Sequence, residues 1–292
     1  MRQRPPFCLP PPGQFSKKKR AVCSRTREHL ALVSEIYMAK YGKSLEEEIS
    51  SETSGDYKQF LTYLAVGKAK ADARAIRRAI EGLGTNDDLL ITVCCCLTND
   101  ELLAAKQEYK ALYGVPAEVD VANDTSGDYK DLLIERLRCV RSEDAAIDDR
   151  TCEEMAELLF QAGENTWGTD EKVFIDVFTK LSPGQLQSVS SVYETKSDGK
   201  TLEEAIRNET SWNLCEALLA LMQDRIPLLA EILKKATVDK IGTDEELVYI
   251  YHICPCRPCS SHPVKPNAST PTGIIRPWFE FEGRCEPNRG FF

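Results

Sequence analysis

No stretch of the 292 residues is apolar over the length a bilayer-spanning helix needs, so the sequence offers no transmembrane candidate. Positive charge is in deficit: 37 Lys and Arg stand against 46 Asp and Glu, a formal net charge of −9. That balance argues against nucleic acid as a partner, and against attraction to an anionic surface without a bridging cation. Histidine is scarce, with only His29, His252 and His262. No nucleophile, base and orienting group come together in the pattern, so an enzyme is not expected. Cysteine is present twelve times but lacks the spacing of a disulfide framework, and Cys94, Cys95 and Cys96 are adjacent within an apolar run. Such cysteines read as small buried hydrophobes. The N-terminus, "MRQRPPFCLPPPGQFSKKKR", is basic and Pro-rich without a continuous apolar core, so no secretory signal is read there and a cytoplasmic location is expected.

What the chain does have is self-similarity. "ETSGDYKQFL" at Glu52 to Leu61 returns as "DTSGDYKDLL" at Asp124 to Leu133, and in degraded form as "ETSWNLCEALL" from Glu209. Repetition of this kind signals a repeat architecture, in which each unit buries its apolar face against its neighbours. Between these segments the apolar residues fall at helical spacing, for example Ile76, Ala79, Ile80 and Leu83, then Leu90, Val93, Cys94 and Leu97. Start signals punctuate them. Thr85 with Asp88 and Thr98 with Glu101 match capping boxes, and Ser182-Pro183 places a proline in the first turn. The reading is all-α, with five helices per unit.

A Gly-containing loop and an acid recur at nearly constant separation. Thr85 of "EGLGTNDD" precedes Asp124 by 39 positions, and Thr169 of "GENTWGTDE" precedes Glu209 by 40. Calcium takes six to eight oxygens from carbonyls, carboxylates and water. A Gly-rich interhelical turn can aim several carbonyls at one point, and a carboxylate from a second loop would close the site. The expected ligands are the carbonyls of Ile80, Gly82 and Gly84 with the Asp124 side chain, and Gly163, Thr166 and Gly168 with Glu209. One such loop alone is better explained by a Gly helix ending followed by an N-cap; two loops paired with acids at matching separation reverse that balance.

The motifs "GLGTND", "WGTDE" and "IGTDE", with "DTSGDYK" and "RNETS" about 39 residues on where the acid survives, resemble the annexin repeat from about Val22 to Ile253. The resemblance implies an array of five-helix repeats whose loops lie on one convex face. It also implies calcium-dependent docking of that face on acidic phospholipid. The expected division is a Pro-rich segment over 1–21, a partial first repeat over 22–67, complete repeats over 68–142 and 143–223, a partial fourth over 224–253, and a Pro- and Cys-rich tail over 254–292. The first repeat keeps its acid, Glu52, without a Gly loop before it. In the fourth, Lys240 replaces the middle glycine, leaving Gly242 as a weak metal ligand, and no partner acid follows in repeat context. In the third, one extra residue precedes Glu209 within "TKSDGKT", and Trp212 is aligned with Asp128.

Trp167 stands inside a candidate metal loop, where the resemblance implies an indole that meets the membrane when calcium binds. In the tail, His252, Cys254, Cys256 and Cys259 lack the second separated ligand couple of a zinc site, and the Pro, Ser and Thr content reads as disorder. The function expected is calcium-dependent binding to acidic membranes in membrane organisation or trafficking, peripheral to the membrane when calcium rises. The alternative is an annexin-like scaffold with weakened calcium binding that contacts cytoskeleton or partner proteins.

Overall fold

A computed structural model describes residues 27–239 apart from 145 and 165–169. Thr166, Trp167, Gly168 and Gly242, and the tail cysteines and histidines, therefore lie outside the described residues. Backbone contacts group 1–255 as one unit and 256–292 as another, and all described residues belong to the first.

Among the described residues the chain forms fourteen α-helices and no strand. Three come first: α1 (Arg27–Tyr41), α2 (Leu45–Glu52) and α3 (Gly55–Ala65). Two series of five follow. In the first, α4 (Lys68–Ala79), α5 (Asp87–Cys96), α6 (Asn99–Tyr113), α7 (Ala117–Asp124) and α8 (Gly127–Leu137) have 12, 10, 15, 8 and 11 residues. In the second, α9 (Asp149–Glu164), α10 (Glu171–Lys180), α11 (Pro183–Lys196), α12 (Leu202–Glu209) and α13 (Trp212–Met222) have 16, 10, 14, 8 and 11. A last helix, α14 (Arg225–Lys234), runs into a π-helical turn.

Local chemistry explains the boundaries. Capping boxes start α2 at Ser44 and Glu47, α6 at Thr98 and Glu101, α11 at Ser182 and Gln185 with Pro183 in the first turn, and α12 at Thr201 and Glu204. Thr85 does not cap α5, contrary to the expectation from Thr85 and Asp88. Asn86 takes that place, its side chain accepting the Leu89 N–H at 3.1 Å, which frees the Thr85 hydroxyl for another partner.

The recurring acid-Thr-Ser triplet has a structural reason as well. In each copy the acid is the last residue of a short helix, the Thr hydroxyl donates to the carbonyl four residues back, and the Ser is the N-cap of the next helix. Thr53 donates to Ile49, Thr125 to Val121 and Thr210 to Ile206, at 2.6, 2.6 and 2.7 Å. The next helix begins at Gly55, Gly127 and Trp212. Trp212 is thus the counterpart of Gly127, not of Asp128. The extra residue before Glu209 sits in the turn after α11, where Asp198 and Gly199 take φ of +54° and +92°.

Helices α5, α8, α10 and α13 pack together and join the two series in one core that includes Leu90, Leu132, Phe174 and Leu218. Cys94, Cys95 and Cys96 are buried in it, and burial pushes the Cys95 thiol up to about 11. The connector between α8 and α9 is irregular yet tied to both series. The Ser142 N–H donates to Lys180 O at 2.7 Å, the Ser182 hydroxyl to Asp144 O at 2.5 Å and the Gln185 amide to Ala146 O at 2.8 Å. From the other side, the Asn99 amide donates to Arg141 O at 2.6 Å. Helices α1 to α3 bury a separate small cluster around Leu30, Ile49 and Leu61. Leu32, Ile36 and Tyr41 of α1 stay exposed.

Candidate metal centre

The loop between α4 and α5 reverses the chain in seven residues and is closed by the Asn86 N–H donating to Ala79 O at 2.7 Å. Gly82 and Gly84 take φ of +116° and +86°, a region that L side chains resist. Among the described residues, no backbone N–H in the turns and loops donates to the carbonyls of Ile80, Gly82 or Gly84.

The acid reaches this loop through a direct bond. The Thr85 hydroxyl lies 2.7 Å from Asp124 Oδ2 and 3.3 Å from Asp124 O. The 39-position spacing in the sequence is therefore a side-chain contact in space. Loop and acid come from different helix pairs, α4–α5 and α7–α8, and this hydroxyl links them. Among the described residues no group of three or more His, Cys, Asp or Glu is arranged to hold a metal. The oxygen set here is of the other kind, backbone carbonyls with one carboxylate, which suits a hard cation and leaves room for water and outside oxygens.

Residues that spacing alone did not single out surround the site. Thr85, Asp87 and Asp124 line a depression of about 400 Å³ together with Ser211, Trp212 and Asn213 from the start of α13. Asn213 Nδ2 donates to Asp87 Oδ2 at 2.8 Å, pinning the second series to the first at this edge. Burial raises the Asp87 carboxyl, and the charges of Asp88 and Asp124 push the same way against that hydrogen bond. The signal for Trp212 was legible: it is an indole directly after an acid-Thr-Ser triplet, where both other copies have Gly.

The second candidate set is described only in part. Gly163 lies in the last turn of α9 and is buried, where a Cβ would rest 3.5 Å from the Phe174 ring. Its glycine is not required by backbone conformation, in contrast to Gly82 and Gly84. The Asp170 N–H donates to Ala162 O at 3.2 Å, matching the Asn86 to Ala79 closure with one more residue in the loop. Glu209 ends α12, partly buried, in the position Asp124 has at the end of α7.

A family model described as "Annexin" matches residues 19–64, 71–135 and 154–221. Annexin A13 of Homo sapiens is 39% identical over 228 residues, covering 77% of this chain and 72% of that protein. Annexin A5 of Homo sapiens is 38% identical over 227 residues, covering 77% and 70%. Among solved structures, annexin III superposes with a TM-score of 0.77 at 28% identity over 83% of this chain and 76% of its own. A calcium-bound annexin (Sm)1 superposes with a TM-score of 0.72 at 26% identity, covering 83% and 74%. The helix order, the acid-Thr-Ser triplets and a family match across three segments agree, and this chain belongs to the annexin family.

Proposed function

We propose that the chain binds acidic phospholipid membranes when calcium is present, in the organisation or traffic of those membranes. The observation that carries this reading is the 2.7 Å bond from Thr85 to Asp124, which holds one carboxylate against a loop whose Ile80, Gly82 and Gly84 carbonyls take no backbone hydrogen bond from the turns around them. The first site would be Ile80, Gly82 and Gly84 through carbonyls with the Asp124 carboxylate. The second would be Gly163, Thr166 and Gly168 with Glu209. Calcium supplies a positive centre on a surface that is otherwise acidic, and phosphate oxygens complete its shell. The side chains do the positioning: Thr85 orients Asp124, and Gly82 and Gly84 permit the turn. Trp167 is a membrane contact in this reading. Two single-carboxylate sites, each weak, gain from acting on one surface together. No described helix is long and apolar enough to cross a membrane, and the proposed association is peripheral, from the cytoplasmic side.

The test is sedimentation with vesicles of phosphatidylserine and phosphatidylcholine across a calcium titration, with chelator as the control. The chain is expected in the pellet with calcium and in the supernatant with chelator. Asp124→Ala is expected to raise the calcium needed for half-maximal binding about tenfold. Superimposable curves for variant and parent would remove Asp124 from the site.

A further inference from the structure

We propose that Trp212 and Leu83 form a lipid contact of their own, entering the headgroup and upper acyl zone of the bilayer at the junction of the two helix series. This rests on the calcium-dependent membrane reading above and adds Trp212, which lies outside both metal loops, beside Leu83 of the first loop.

Both side chains stand in solvent, at 85% and 109% relative exposure, and both line one depression of about 500 Å³. Its polar part includes Thr85, Asn86 and Asp87 of the first series and Asn213 of the second. The Asn213 to Asp87 bond fixes the first turn of α13 against that of α5, so the indole keeps its place beside the loop that carries Leu83. The backbone has been rebuilt around the Trp. Gly55 and Gly127 begin α3 and α8 at φ of +61° and +63° after N-cap serines at −143° and −147°, whereas Ser211 before Trp212 is at −73°. Trp212 is not among the positive-φ residues, because a side chain strains there. The chain thus changes its turn to display an indole that contributes no burial to its own core.

The surroundings identify the occupant. Two separate apolar side chains over a polar floor give too little contiguous apolar area for a protein hot spot. An indole, with an apolar ring and one N–H donor, suits the boundary between headgroups and acyl chains. Glu81, Asp87, Asp88 and Glu216 outnumber Arg78 in the depression, so its net charge opposes an anionic surface until a further cation is in place. Gly84 and Thr85 of the candidate metal loop line the same depression, which puts that cation beside the contact.

The experiment uses the full chain carrying Trp167→Phe and Trp278→Phe, leaving Trp212 as its only tryptophan. It is mixed with phosphatidylserine vesicles whose phosphatidylcholine is either brominated on the upper acyl chain or not. The expected result is quenching of Trp212 by brominated vesicles in calcium and recovery on chelation. In the parent background, Trp212→Gly and Leu83→Ala are each expected to raise the half-maximal calcium about threefold, with far-UV circular dichroism unchanged. Sedimentation in calcium without quenching overturns this proposal and leaves the membrane reading intact. Quenching that persists in chelator overturns the coupling to calcium. Failure of the parent chain to sediment in calcium overturns the membrane reading and this proposal with it.

Discussion

At the scale of single residues, the Thr85 hydroxyl decides whether loop and acid act as one site. Thr85→Val keeps the shape and removes the donor, leaving Asp124 without the bond that orients it. Calcium-dependent sedimentation of Thr85→Val is expected to need about threefold to tenfold more calcium, and Thr85→Ser to stay near the parent. The 39-position spacing corresponds to a side-chain contact, but the capping role given to Thr85 was wrong. Thr85 and Asp88 fit a capping box in the sequence, and so does Asn86 as a cap. Only folding shows which side chain takes the helix end and which is left to cross to Asp124. Trp212 was misplaced for a related reason. One residue of register separates Gly127 from Asp128, and the helix start at Trp212 settles it.

At the scale of elements, two buried arginines close the C-terminal ends of the junction helices. Arg136 donates through Nε to Cys94 O at 3.1 Å and through Nη2 to Leu97 O at 3.2 Å, at the end of α5. Arg141 donates to Leu181 O at 2.7 Å and Leu221 O at 2.5 Å, at the ends of α10 and α13. Carbonyls at these ends have no helical partner and carry the negative pole of the helix, so a cation satisfies both needs. Burial, with the Arg136 charge acting the same way, lowers the Arg141 guanidinium to about 10, so it stays charged at neutral pH. Arg141→Met leaves one buried and one partly buried carbonyl unpaired and is expected to cost about 2–4 kcal/mol, measured by urea unfolding. Helix number and order were readable from periodicity and caps. These arginines were not, because their partners lie about 40 and 80 positions away and no periodic pattern marks them.

At the scale of the whole molecule, α1 to α3 attach differently from the rest. Their core is separate, and Glu46 on α2 pairs with Arg74 at 2.7 Å and Lys70 at 3.3 Å on α4. Burial alone would raise the Glu46 carboxyl, but the hydrogen bonds and charges of Arg74 and Lys70 outweigh it and hold it below its ordinary value. A lowered folded-state value means that the pairing stabilises above the unfolded carboxyl range, near pH 4.3, and fades as pH falls through the folded value. Each pair is worth about 0.5–1 kcal/mol at this exposure. Below about pH 4, hydrogen exchange corrected for intrinsic rates is therefore expected to rise in α1–α3 before α4–α13, and Glu46→Gln to abolish that difference. The connector from α8 to α9 has the opposite character. Bonded to both series, it cannot act as a hinge, so the edges bearing Asp124 and Glu209 keep one spacing and tilt. A body of fixed geometry binds lipids best where the bilayer matches its own contour. Vesicle diameter should then matter independently of lipid composition: at equal accessible phosphatidylserine, small sonicated and large extruded vesicles are expected to require different calcium for half-maximal binding. Ser182→Ala with Gln185→Ala, by loosening the connector, should narrow that difference and make the protein less sensitive to curvature.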